Sequence, residues 1–196
     1  MSSASSAATV TESTTTVVIG SGLPGLAVAS ELSRRGVASI VVDGATVFGD
    51  GAQRRNALTD AASLTERSEI LRLLRHYAAS HQLDVRGATR AVDISLTRQG
   101  GAAGPKWVIC TPDGLLLADN IVLTCGAHNQ LRRFLAGLGI AAGKDFLHAV
   151  RSLGIYLVGV GELIAPTTRG ILRQAKVVSE AISTGAVLRQ ELPALV

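Results

Sequence analysis

Hydrophobic positions change period several times along the chain, and each change marks an element. Val17, Val18 and Ile19 form a short apolar run that stops on glycine, the pattern of a strand buried on both faces, and they predict a strand over 15–19. From Pro24 to Arg35 the apolar residues recur at helical spacing. Pro24 suits a first helical turn, and Gly36 follows Arg34 and Arg35 as a terminator. A second apolar run predicts a strand over 38–43, which completes a βαβ unit. Residues 44–64 show no period and read as loop. Ile70, Leu73, Leu74 and Tyr77 then return to helical spacing, with Arg67, Arg72 and Arg75 largely off that stripe, so a surface-packed helix is expected over 66–81.

Residues 85–118 have a different character. Val92, Ile94 and Leu96 alternate with polar neighbours, Trp107 to Thr111 follow the GGAAGP stretch at 100–105, and Leu115 to Ala118 follow Pro112-Asp113-Gly114. This predicts a three-stranded antiparallel meander with GGAAGP as a hairpin connection. A separate buried strand is expected over 120–125, a helix near 131–138, a strand over 154–160 and a helix over 166–183. The fold class is α/β: a Rossmann-like parallel sheet with a small antiparallel β-meander insertion.

Composition narrows the function. The 196 residues suit one domain,. No apolar run approaches the ~18 residues of a membrane span, so a soluble protein without membrane contact is expected. Residues 1–14 are mostly Ser, Thr and Ala and lack the basic start and apolar middle of a secretory signal, so they read as a disordered leader before a single domain at 15–196. A cytoplasmic location follows. The net charge is +4, but the arginines are scattered, which argues for a solvated surface over nucleic-acid binding. Cys110 and Cys125 stand 15 positions apart, neither a redox pair nor a metal spacing, and are expected as reduced, buried thiols. The four histidines are scattered, so no metal is expected.

The chemistry concentrates where the first strand meets the first helix, at Gly20-Ser21-Gly22-Leu23-Pro24-Gly25. Each glycine has a mechanical reason: Gly20 for the tight turn, Gly22 for room beside a pyrophosphate, Gly25 for close packing of helix on strand. The helix-start amides and the helix dipole then face the phosphates. Asp43 ends the second strand, 23 positions after Gly20, near the ~20-residue offset at which an acid reaches adenosine ribose hydroxyls and opposes the extra phosphate of NADP. NAD and FAD share this half, so the loop does not choose between them.

Four stretches, in order, resemble the FAD domain of the pyridine-nucleotide-disulfide oxidoreductase superfamily, which includes thioredoxin-reductase-like and flavin-monooxygenase-like enzymes. They are VVIGSGLPGLAVASELSRRG, IVVDG, ADNIVLTCGA and GIYLVGVGELIAPTTRGILRQAKVVSEAI. The resemblance implies FAD, with Gly20, Gly22, Leu23, Pro24 and Gly25 around the pyrophosphate and Asp43 and Gly44 at the adenosine ribose. It also implies backbone approach to the cofactor at Gly126, Gly159 and Gly161, and a final helix starting near Thr167 and Thr168 that directs its amides at the flavin. The short RRN element at 54–56 places Arg55, with Arg54, either on the pyrophosphate or in solvent. Val160 stands where the family has an aspartate for the ribityl chain; Glu162 either compensates or is a solvated loop residue.

Residues 127–153 are too few for the nicotinamide domain that these enzymes insert there, and C-x-x-C is absent, which argues against thioredoxin reductase activity itself. His128 is a candidate proton donor beside a flavin, and Cys125 either touches the flavin or simply fills a strand end. Three readings stay open: a compact flavin-dependent oxidoreductase of unknown substrate, a non-catalytic flavin-domain module partnered by a separate reductase or NAD(P)H donor, and an NAD-binding domain with insertions. A homodimer is compatible with each.

Overall fold

The computed structural model describes residues 10–48, 61–97, 106–126, 128–140, 146–160 and 167–191. Its centre is strand β1 (Thr11–Ile19), flanked in parallel by β2 (Ser39–Ala45) and β6 (Gly114–Leu123). Beyond β2 lies β3 (Asp84–Ala91), also parallel. Beyond β6 lie β5 (Lys106–Thr111) and β4 (Asp93–Thr97), both antiparallel. The short β7 (Ile155–Leu157) pairs with the second half of β6. Among the described residues these form one seven-stranded sheet in the order β3-β2-β1-β6-β5-β4, with β7 on β6. The Rossmann-like class and the antiparallel insertion are both observed.

Alternation along the central strands divides the core. Val17 and Ile19, Ile40 and Val42, and Ile121 and Leu123 face one side; Val18, Val41 and Val122 face the other. Successive side chains of a strand point to opposite faces, so a continuous apolar run requires cover on both. On one face α1 (Leu23–Arg34) and α5 (Thr168–Glu191) pack against the sheet, with α2 (Ala61–Ser80) against α1. On the other lie the meander, α3 (His128–Gly137) and α4 (Phe146–Ser152). Trp107, fully buried, donates its Nε1–H to the Leu153 carbonyl at 2.8 Å, tying the meander to the turn before β7. No helix among the described residues is long and apolar enough to cross a membrane.

Several boundaries differ from the sequence reading. β6 is one strand where two were expected; its first half serves the meander and its second half the parallel sheet. Since β6 pairs with β1 from Thr11↔Leu115 to Ile19↔Leu123, β1 begins inside the segment expected as a leader. Main-chain pairing holds those polar residues, and composition does not report it. β3 was missed because DVRGATRA has no apolar alternation. Its place is secured by Arg86, which donates to Asp84 and, across the sheet, to Glu12, both at 2.7 Å. These two hydrogen bonds, Asp84 first, raise the Arg86 pKa. α4 was also unassigned. α2 begins at Ala61 within the expected loop, and Leu73 is exposed while Ile70, Leu71 and Leu74 pack inward. Cys110 and Cys125 are free thiols, as expected, but only partly buried.

Candidate functional site

The glycine loop lies at the carboxyl edge of the parallel sheet, where the ends of β1, β2 and β6 are joined by hydrogen bonds. Gly20 takes φ +120°, a conformation that favours glycine,. Its amide donates to the Val42 carbonyl at 2.8 Å. The Thr124 hydroxyl, just beyond β6, donates to the Ile19 carbonyl at 2.9 Å and lies 3.2 Å from that of Gly20. A Cβ on Gly20 would overlap Thr124 Oγ1, and one on Gly25 would overlap the Gly20 carbonyl oxygen. Gly25 therefore permits the close approach of α1 to β1 that the spacing predicts.

Gly22 is different. It is exposed and caps α1 with no side-chain hydrogen bond. Among the described residues a Cβ there would meet only Pro24 Cδ, at 3.7 Å. The first amides of a helix have no intrahelical acceptor and carry the positive end of the helix dipole. Leu23 is buried, and Pro24 occupies the first turn without contributing an amide. Asp43 is exposed at the same edge and accepts a 2.5 Å hydrogen bond from Ser21 Oγ. Open amides and an exposed carboxylate at one sheet edge can hold a phosphorylated sugar, the anion on the amides and the hydroxyls on the acid.

Gly44 forms the floor beside Asp43. The position of its missing Cβ is 3.8 Å from Arg90 Nη2 and 3.9 Å from Cys125 Sγ. Desolvation pushes the Cys125 thiol up from 9.0 to about 11, against smaller lowering by an Ala45 main-chain hydrogen bond and the Arg90 charge. The unfolded chain loses this proton first as pH rises, so stability is full below about pH 9 and falls toward about pH 11,. Chemical denaturation at pH 8, 9.5 and 11 is expected to show that fall. Cys125→Ala should reduce it, and an identical profile in the variant would remove Cys125 as its source.

The remaining glycines meet protein. At Gly126, φ +111°, an added Cβ would lie 3.2 Å from Phe48 Cγ and 3.4 Å from Leu131 Cγ. Phe48 follows β2, is fully buried, and meets Phe134 of α3 edge-on with ring centroids 5.6 Å apart. At Gly159, φ +72°, an added Cβ would lie 3.0 Å from Pro24 Cγ, and the Gly159 amide donates to Gln174 Oε1 at 2.8 Å. The end of β7 is thus brought against the start of α1 and onto α5. Thr167 caps α5, accepting the Gly170 amide at 3.1 Å, whereas Thr168 is buried in the first turn. Val160 packs against the core on the meander side, so an apolar residue fits there for a packing reason. His128 is exposed at the start of α3. Arg54, Arg55, Gly161 and Glu162 lie outside the described residues.

The structure therefore joins Gly20, Gly22, Gly25, Asp43 and Gly44 at one edge and brings Gly159 against Pro24. Sequence reasoning missed Thr124, Phe48, Arg90 and the Ser21–Asp43 bond. Thr124 carried a faint signal, as a hydroxyl closing an apolar strand. A groove of about 570 Å³ between α1, α2 and α5, lined by residues such as Ser30, Leu74 and Tyr77, includes none of the loop.

No protein-family model matches the chain, and no curated protein matches it. Solved structures do. THI4 from Thermovibrio ammonificans matches at 16% identity and a TM-score of 0.56 over 89% of this chain and 90% of that one. Thioredoxin reductase from T. acidophilum matches at 8% identity and 0.53, over 90% and 99%. A flavin-containing monooxygenase from Stenotrophomonas maltophilia matches at 12% and 0.51, over 89% and 99%. Three other matches cover 59% to 60% of this chain, which spans about two fifths of their length, 37% to 40%. At these identities the likeness establishes a shared fold, the one the four sequence stretches pointed to.

Proposed function

We propose that the chain is an FAD-binding flavoprotein domain serving flavin-mediated redox chemistry. The observation that carries this reading is the open, uncapped turn at Gly22 beside the exposed carboxylate of Asp43. The residues present fit the ADP half of the coenzyme. Amides of the loop and first turn of α1 would take the pyrophosphate, and Asp43 the ribose hydroxyls, with Gly44 leaving the floor free of a side chain. Arg55 and Gly161 are part of the proposal through the family resemblance, as is the start of α5 at Thr168. Bound flavin supplies hydride or electron transfer, while the protein holds and orients it. The fit is poorer toward the ribityl chain, where Val160 offers no hydrogen bond; a missing bond of this kind weakens binding by about 0.5–1.5 kcal/mol without preventing it.

A visible absorption spectrum of the purified chain, followed by titration with FAD, tests the reading. Flavin bands, or saturable quenching of flavin fluorescence, are expected. A colourless protein that takes up no FAD overturns it, and tighter binding of NAD than of FAD by calorimetry would reassign the loop.

A second reading is favoured by a specific pair of observations: Val160 packs against the core, and the described residues between β6 and β7 form α3 and α4. Here the domain is a non-catalytic flavin module that works with a separate reductase or NAD(P)H donor. Bleaching of bound flavin by NADH or NADPH in the isolated protein would exclude a purely structural role.

A further inference from the structure

We infer that Ser21 is a positioning residue that fixes the Asp43 carboxylate for the sugar of an adenosine diphosphate ligand; the inference rests on the reading of the site given above. Ser21 lies between Gly20 and Gly22 of the loop, and its hydroxyl reaches Asp43 Oδ1 across 22 positions of sequence at 2.5 Å. The fold already clamps these segments without it, because the Gly20 amide is bonded to Val42 on the same strand end. The hydroxyl therefore acts mainly on an exposed side chain. An exposed aspartate otherwise samples several rotamers, and ordering it on binding costs free energy. A carboxylate has about four acceptor sites. Ser21 occupies one on Oδ1 and leaves Oδ2 and the remaining lone pairs for two neighbouring sugar hydroxyls. The bond is also charge-assisted, which strengthens the orientation.

Ser21 also binds no phosphate in this arrangement, since its proton is committed to Asp43. Its effect on a ligand should pass through Asp43 alone.

The test is calorimetric titration of ADP into the full chain and into Ser21→Ala, Ser21→Thr, Asp43→Asn and the Ser21→Ala/Asp43→Asn double variant, with thermal melts as a control. Ser21→Ala is expected to weaken ADP roughly 5-fold and Ser21→Thr to restore most of the affinity, the ordering of one exposed side chain on binding setting the scale. Asp43→Asn should cost more, and the double variant should match it, as a residue acting through another requires. Unchanged affinity in Ser21→Ala, or single losses that multiply in the double variant, overturns the inference. If the parent chain binds ADP but holds FAD no more tightly, the flavin reading fails and the role of Ser21 stands. If it binds neither, both fall.

Discussion

Gly25→Ala should destabilise the protein by about 3 kcal/mol, lowering its melting temperature by roughly 6–12 °C. The added methyl would overlap the Gly20 carbonyl oxygen and lie 2.9 Å from the Gly20 carbonyl carbon and 3.3 Å from Thr124 Oγ1. Two of those atoms are main chain and cannot swing aside. The Gly20 peptide is itself held by Val42 and sits against the Thr124 hydroxyl. Relief would require α1 to lift from the sheet, yet Leu26, Val28 and Leu32 of that helix are buried. Alanine's better helix propensity returns only about 1 kcal/mol. A circular-dichroism melt within about 2 °C of the parent would show that α1 can shift freely, contrary to the close packing described.

Gly22→Ala should behave in the opposite way, leaving the fold intact and removing most of the affinity for FAD. Gly22 has φ −74° and ψ −171°, which any residue adopts,. Among the described residues only Pro24 Cδ lies within 4 Å of the added carbon, at ordinary contact distance. Stability should therefore stay level or rise by a few tenths of a kcal/mol, since alanine restricts the unfolded chain. The methyl enters the side of the turn where the proposed phosphate would approach the amides. An intrusion into a close contact costs about 1–3 kcal/mol, roughly 5- to 150-fold in affinity. Fluorescence titration beside a thermal melt reads both quantities. Parent-like FAD affinity in a well-folded Gly22→Ala would move the phosphate site away from this turn.

The two glycines differ by three positions, and the loop's spacing assigned Gly25 to the close packing of helix on strand that the structure shows, while the phosphate role of Gly22 is part of the proposal. The same spacing placed Asp43 at the sheet edge. The sequence did not show the partner of Asp43, because Ser21 is 22 positions away and a serine in a glycine loop has no pattern of its own. The glycines at 126 and 159 were read through a cofactor, while their missing side chains make room for Phe48 and Pro24. A glycine in sequence reports that something must come close, without saying what.

By itself the sequence determined the βαβ unit, the meander and the carboxyl-edge position of the loop, because apolar period and glycine spacing are local consequences of strand and helix geometry. Only the tertiary structure decided that β6 is a single strand serving two sheet regions, that polar residues 11–14 extend β1, and that charged β3 belongs in the sheet. Those features come from main-chain pairing between distant segments and from Arg86 bridging Glu12 and Asp84. Main-chain carbonyls accept at every residue and main-chain amides donate at every residue but proline, so side-chain composition leaves almost no trace of which strand they join.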